Sequence, residues 1–153
     1  MADIKEFDDD FITLCEAGFV AVNQADEDAA TKLFAACELL RPEHTLPKVG
    51  RGYMHMMKLE LKQACKLFDD VIAKEPDNEM AKSFLGLSYT LTTTDVAKGE
   101  KILSEMATKA DEPLVKQLAD SALEFVDKFV KKSPTPAEGP MKKKEDEKKK
   151  KEK

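Results

Sequence analysis

Apolar residues follow helical spacing along most of this chain, and small and bulky ones return in the same order at a fixed interval. The recurring positions are Gly18, Gly52 and Gly86; Ala30 and Ala64; Phe34 and Phe68; Pro42 and Pro76. A fixed period of about 34 residues indicates stacked structural repeats, because one unit alone cannot bury its apolar face. The pattern predicts three repeats, over residues 11–44, 45–78 and 79–112.

Each repeat is predicted to be a helix-turn-helix. Gly18 is expected where the first helix crosses the second closely, since a side chain there would push the helices apart. Ala30 is its small counterpart on the second helix, and Phe34, on the same face, fills the space between neighbouring hairpins. Pro42 lies past the end of the second helix, which it prevents from continuing.

The third repeat departs from this pattern by one residue. Gly99 and Leu103 stand one place later than the corresponding small and bulky residues of the earlier repeats, after the turn "TTTD". We expect a longer loop there, with Asp95 or a neighbouring threonine at the start of the next helix. A terminal repeat is commonly atypical because it faces a cap.

The segment "EPLVKQLADSALEFVDKFVKK" predicts a capping helix over about residues 112–132, beginning near Pro113. Its apolar face, expected to pack on the third repeat, is formed by Leu114, Leu118, Ala122, Phe125 and Phe129. Residues 133–153 hold three prolines and a run of charge, so we expect a disordered tail after a single folded domain, 1–132.

The recurring residues resemble the tetratricopeptide repeat (TPR). The matching residues are Leu14, Ala17, Gly18, Ala30, Phe34 and Pro42; then Gly52, Ala64, Phe68 and Pro76; then Leu85, Gly86 and Tyr89. The usual Trp is absent throughout, and His55 replaces the usual Tyr of the second copy. The resemblance implies an all-α fold of three TPR hairpins in a right-handed superhelix, followed by the capping helix.

A narrower resemblance comes from the size, the three repeats with a cap, and "ELLRPE" at the end of the first repeat. The chain looks like the TPR chaperones of bacterial type III secretion systems, and is most similar in layout to the needle-subunit co-chaperones. That family implies a concave groove holding the amphipathic helix of a needle subunit, usually with a second small chaperone, which prevents premature polymerisation. A translocator chaperone, or a TPR scaffold that binds a stable subunit or forms a homodimer, is the alternative.

The resemblance also implies which residues line the groove, namely positions 2, 5, 9, 12 and 13 of each first helix. Twelve of these fifteen residues are apolar or aromatic. The candidate partner-binding residues are Cys15, Phe19, Val22, Val49, Tyr53, Met56, Met57, Met80, Leu87 and Leu91. The competing interpretation assigns part of this stripe to the core, above all Ile12, Leu46 and Leu91.

The stretch "RGYMHMMKLE" lies at the centre of this predicted groove. Methionine is unbranched and polarizable, so it adapts to different apolar shapes, as a helix-binding surface requires. The same run does not predict a metal site, because consecutive helical residues point about 100° apart and cannot converge on one ion. We therefore expect Tyr53, Met56 and Met57 to contact a protein partner, without a metal or other cofactor.

Charge and composition narrow the function further. The net charge is −5, but residues 133–153 carry eight Lys against five acidic residues, a net +3 that leaves −8 for residues 1–132. A net charge this negative over residues 1–132 argues against nucleic-acid binding. The start "MADIKEFDDD" lacks the pattern of a signal peptide and no stretch is apolar enough to span a membrane, so we expect a cytoplasmic protein.

Nothing in the sequence predicts an enzyme. Cys15, Cys37 and Cys65 have no CxxC spacing and are expected to be small buried apolar residues. Cys15 and His55 lack an orienting carboxylate at a recognisable spacing. The clamp by which some TPR domains bind a C-terminal carboxylate is also excluded, because its Lys and Asn positions are apolar or serine in this chain.

Overall fold

The computed structural model describes residues 4–131, and that part of the chain is helical with no strand. A 3-10 helix, Ile4–Asp10, precedes seven α-helices. They are α1 (Phe11–Asn23), α2 (Glu27–Leu40), α3 (Leu46–Met57), α4 (Leu61–Lys74), α5 (Glu79–Thr90), α6 (Val96–Lys109) and α7 (Pro113–Phe125). A π-helical turn, Val126–Val130, follows α7. The tail predicted for residues 133–153 lies outside the described residues.

The chain divides after Leu123 into two compact units. In the described part of the second unit, the rings of Phe125 and Phe129 lie 5.2 Å apart, and Lys128 pairs with Glu124 at 3.4 Å. These contacts join residues one helical turn apart, so they stabilise the end of the helix locally.

The first unit is built from three consecutive helix pairs, α1 with α2, α3 with α4, and α5 with α6. The second helix of a pair also contacts the first helix of the next, as α2 does with α3 and α4 with α5. The first helices α1, α3 and α5 touch in sequence. Asp26 and Asn78 accept backbone N–H bonds at the starts of α2 and α5, where these helices need an N-cap.

The side chain of Phe34 fixes the first pair against the second. A Cβ added at Gly18 of α1 would lie 2.6 Å from Phe34 Cε1, and one added at Gly50 of α3 would lie closer still to the same atom. The ring edge therefore occupies a slot between two glycines on different helices. The sequence pattern pairs the repeat glycine with the small Ala30. In the structure, the atoms nearest to a Cβ on Gly18 belong to the Phe34 ring, so the glycine makes room for that ring.

In the second pair, Gly52 of α3 approaches the ring of Phe68 as Gly18 approaches Phe34, since a Cβ on Gly52 would lie 2.5 Å from Phe68 Cε1. The third pair crosses differently. A Cβ on Gly99 of α6 would lie 2.5 Å from the carbonyl oxygen of Gly86 and 2.7 Å from the backbone nitrogen of Thr90. This confirms that Gly99 is the small residue at the third crossing. Asp95 precedes α6 as predicted, although its side chain makes no capping hydrogen bond.

The predicted apolar face of α7 is confirmed at Ala122, which is buried, and at Leu118, which packs on the core, but it is wrong at Leu114, Phe125 and Phe129. Val115, Ala119 and Ala122 are buried against Leu103 and Met106 of α6. By contrast, the side chain of Leu114 is 72% exposed, and Phe125 and Phe129 are exposed too. The small side chains of Ala119 and Ala122 fit into this buried cluster with Leu103 and Met106, where bulky leucine or phenylalanine side chains would need more space. Pro113 does begin the helix, as predicted.

No helix within residues 4–131 combines the length and the apolar character needed to cross a membrane.

Replacing Gly99 by alanine is expected to destabilise the protein. Alanine favours a helix over glycine by about 1 kcal/mol, but the new methyl would meet the α5 backbone, which cannot rotate away. We expect the free energy of unfolding in urea to fall by at least about 1 kcal/mol in Gly99→Ala. Lys101→Ala, exposed on the same helix, is the control and should change it by less than about 0.5 kcal/mol. A more stable Gly99→Ala variant would contradict the close crossing.

Candidate functional site

An apolar groove crosses the first helices of the three pairs and reaches α7. Its volume is about 510 Å³. The residues that line it are Phe19, Asn23, Leu46, Tyr53, Met56, Met57, Met80, Phe84, Leu87 and Leu118. Asn23 is the one polar amide among them and no charged residue belongs to the set. A concave apolar surface of this kind on a single chain is typical of a binding site.

The floor of the groove is a row of three aromatic rings. Tyr53 lies between Phe19 and Phe84, with ring centroids 5.8 and 5.1 Å away. Its hydroxyl donates to Asn23 Oδ1 at 2.7 Å, and burial raises the pKa of the phenol. The rings of Phe19 and Phe34 pack edge to face, with their centroids 5.5 Å apart. The floor is thus continuous with the core and is preformed.

The five repeat positions divide between core and groove. At position 5, Cys15, Val49 and Ser83 are fully buried or nearly so. At position 12, Val22, Met56 and Thr90 are also buried. The groove side chains come mainly from positions 2, 9 and 13. Because helical residues are about 100° apart, position 12 lies within about 20° of position 5, whereas positions 2, 9 and 13 lie about 40–80° to one side.

Six of the ten candidate residues come together in the groove, namely Phe19, Tyr53, Met56, Met57, Met80 and Leu87. Met56 is almost entirely covered, so Met57, which is 53% exposed, offers the larger methionine surface. Cys15, Val22 and Val49 are buried. Leu91 lies half-buried at the end of α5 and does not line the groove.

Four groove residues were not among the ten candidates. Asn23 and Leu46 stand at repeat positions 13 and 2, whereas Phe84 and Leu118 stand outside the five lining positions. Phe84 stands at position 6 of the third first helix, only about 20° beyond position 13 at 100° per residue. Leu118 follows Phe84 by one repeat period, and the first residue of α7 follows the first residue of α5 by the same interval. By its position in the repeat period, α7 therefore corresponds to the first helix of a further pair. It forms one wall of the groove through Leu118.

Glu79 attaches this wall to α5. Its carboxylate accepts hydrogen bonds from the backbone N–H groups of Asp111, at 2.7 Å, and Glu112, at 3.1 Å, just before α7 begins. These two bonds hold the pKa of Glu79 below its ordinary value. The start of α7 is fixed against the start of α5, and Leu118 is fixed with it.

The polar and sulfur side chains near the groove are engaged in local contacts. His55 Nδ1 lies 2.6 Å from a carboxylate oxygen of Glu60, so one ring nitrogen has a hydrogen-bond partner. Burial, followed by the neighbouring Cys37 thiol, raises the pKa of Cys15 to about 12. Among the residues that the structure describes, no three His, Cys, Asp or Glu side chains are grouped so as to hold a metal ion.

The three thiols should differ in reactivity with iodoacetamide. Burial raises the pKa of all three thiols, but Cys15 and Cys37 are fully buried whereas Cys65 is partly exposed. In the folded protein near pH 8 we expect one thiol to react and two to stay protected. Cys65→Ser should remove the reactive one, and denaturant should release the other two. Equal alkylation of all three in the folded state would contradict their burial.

Loss of the Glu79 charge should weaken the attachment of α7 in a pH-dependent way. Because the folded pKa lies below the ordinary 4.5, the ionised carboxylate stabilises the fold above that pH and loses this effect as the pH falls through the folded value. We therefore expect Glu79→Gln to lower the thermal midpoint near pH 7, and the difference from the wild type to shrink as the pH falls through the folded pKa of Glu79. Glu105→Gln, on an exposed face of α6, controls for the loss of one acidic charge. A difference that is unchanged across this range would contradict the role of the carboxylate.

Comparisons of the chain with protein-family models, with curated proteins and with solved structures give no match. The functional argument therefore depends on the groove and on the residues that form it.

Proposed function

We propose that this chain is a protein-binding module of the TPR type, whose groove holds an amphipathic helix of another protein. The observation that carries the proposal is the groove itself, about 510 Å³ in volume and lined by aromatic, aliphatic and methionine side chains without a charged residue. A surface of this composition is stabilised when it is covered, because apolar area leaves water.

The TPR assignment is supported by contacts that recur at the sequence period. The close approach of Gly18 to Phe34 returns one repeat later, with nearly equal distances, between Gly52 and Phe68. Each second helix also contacts the first helix of the next pair. Three such hairpins in a right-handed superhelix, with α7 as the cap, account for these contacts.

A helix is the occupant that suits this groove best. An amphipathic helix presents apolar residues at i, i+3, i+4 and i+7, so it can place a continuous apolar stripe along the aromatic floor. Each large apolar side chain buried in this way contributes about 1.5–3 kcal/mol before the cost of ordering the peptide. Met57 and Met80, both exposed, can adjust their side chains to the shape of the stripe.

The specific function we propose is that of a cytoplasmic type III secretion chaperone. Its partner would be a needle-type subunit, bound through its amphipathic helix and kept from polymerising prematurely, together with a second small helical chaperone. The proposal is supported by the repeat layout and by the absence of charge from the groove lining. A carboxylate-binding TPR clamp would need Lys and Asn at positions that are here occupied by Cys15, Val49 and Phe19. On this proposal the protein acts by binding and carries out no reaction.

The proposal is tested by a glutamate placed in the groove. We expect Met57→Glu to weaken binding of a synthetic amphipathic helix from a needle-type subunit at least tenfold, because a carboxylate would be buried against the apolar stripe. Leu39→Glu is the matched control. Leu39 is 68% exposed on α2 and lies outside the groove, so this variant should bind within about twofold of the wild type. Fluorescence anisotropy of the labelled peptide measures both.

Equal binding by the wild type and both variants would show that the peptide binds elsewhere, and no binding by any of them would remove the needle-subunit assignment. Sedimentation of the protein alone distinguishes the scaffold alternative. A homodimer that Met57→Glu dissociates and Leu39→Glu preserves would assign the groove to a second copy of the chain.

A further inference from the structure

A second hollow, lined by acidic as well as apolar residues, adjoins the groove at Met80. This hollow has a volume of about 530 Å³ and lies where α5 and α7 begin. Its lining residues are Asp77, Asn78, Glu79, Met80, Asp111, Glu112, Leu114 and Val115. Met80 lines both the groove and the hollow, so it lies at the boundary between them.

Three carboxylates at this end have no counter-ion among the described residues. Glu79 is occupied by the two backbone N–H groups before α7. Among residues 6–131, none donates a hydrogen bond to the side chains of Asp77, Asp111 or Glu112 or forms an ion pair with them. We call these three residues the acidic end of the groove. Lys82 and Lys116 are close enough to attract Glu79, but neither lines the hollow.

The charges at the other end of the groove are held in ion pairs. There, Met57 adjoins a smaller hollow, also lined by Lys58 and Glu27. Lys58 Nζ lies 2.7 Å from a carboxylate oxygen of Glu27 and 3.1 Å from one of Glu60. A bound helix would therefore meet unpaired negative charge at the Met80 end and a closed ion-pair network at the Met57 end.

This asymmetry indicates the chemistry of the occupant. We propose that the groove binds an amphipathic helix that carries Lys or Arg residues just beyond one end of its apolar stripe, and that the acidic end binds those cations. The apolar stripe provides most of the affinity, and the cations determine which way the helix lies, because charge complementarity acts mainly on orientation and specificity. This inference rests on the proposed helix-binding function and adds to it the charge pattern and the direction of the partner.

The experiment uses two synthetic probes and three forms of the full chain, with Met57→Glu as a fourth protein that reports on the groove itself. Both probes are the same amphipathic helical peptide with apolar residues at i, i+3, i+4 and i+7, ending in Lys-Lys or in Gln-Gln. The acidic-end variant is Asp77→Asn/Asp111→Asn/Glu112→Gln. The matched control, Asp69→Asn/Asp70→Asn/Glu105→Gln, removes the same charge from exposed positions that line neither the groove nor the acidic hollow. Circular dichroism establishes that the variants are folded.

We expect the wild type to bind the Lys-ended peptide about three- to tenfold more tightly than the Gln-ended one at low salt, the range for two exposed ion pairs. The ratio should fall to about one in the acidic-end variant and stay unchanged in the control. It should also decrease at high salt, because exposed charges are screened. Comparing each peptide across proteins removes the difference in helix propensity between the probes.

Equal Lys-to-Gln ratios in all three proteins would overturn the inference. If the Gln-ended peptide still binds and Met57→Glu abolishes its binding, only the charge assignment fails and the groove function stands. If neither peptide binds the wild type, both fail. A peptide of residues 140–153 of this chain that binds as tightly as the Lys-ended probe, and is insensitive to Met57→Glu, would assign the acidic end to the chain's own Lys-rich segment instead.

Discussion

The packing of Phe34 between Gly18 and Gly50 is the contact on which the rest of the first unit depends. A planar ring edge fits between two helices only when neither presents a Cβ, so the two glycines define both the position of the ring and the spacing of the helices. Once the ring is seated, α1 and α3 lie side by side. The groove is the surface that this arrangement leaves exposed.

The aromatic floor extends the same packing outward. Phe19 contacts Phe34 below it and Tyr53 beside it, and Tyr53 contacts Phe84. Because these rings are fixed by the core and by the hydrogen bond to Asn23, little order needs to be imposed on the floor when a ligand binds. The methionines at its margins retain freedom instead. A rigid floor with adaptable margins allows one groove to accept related apolar stripes.

The last helix has a structural and a functional consequence. Ala119 and Ala122 bring α7 against α6, while Glu79 ties its first residues to α5. This attachment places Leu118 in the groove and gathers Asp111 and Glu112 beside Asp77. The wall that closes the groove is therefore the element that supplies its negative end.

The sequence by itself determined the helical pairs, the period at which they recur, the close crossing at Gly99 and most of the groove floor, because these depend on residue size at fixed helical spacing. It did not separate Cys15, Val22 and Val49 from the groove residues. An apolar stripe has the same composition whether a neighbouring helix or a ligand covers it. The buried and the groove-lining positions differ by only about 40–80° around the helix axis, and only the packing of other helices shows which of them is covered. The face of α7 and the role of Gly50 were likewise decided by tertiary contacts. Each depends on which residue of another helix lies opposite, and spacing along a single chain does not specify that.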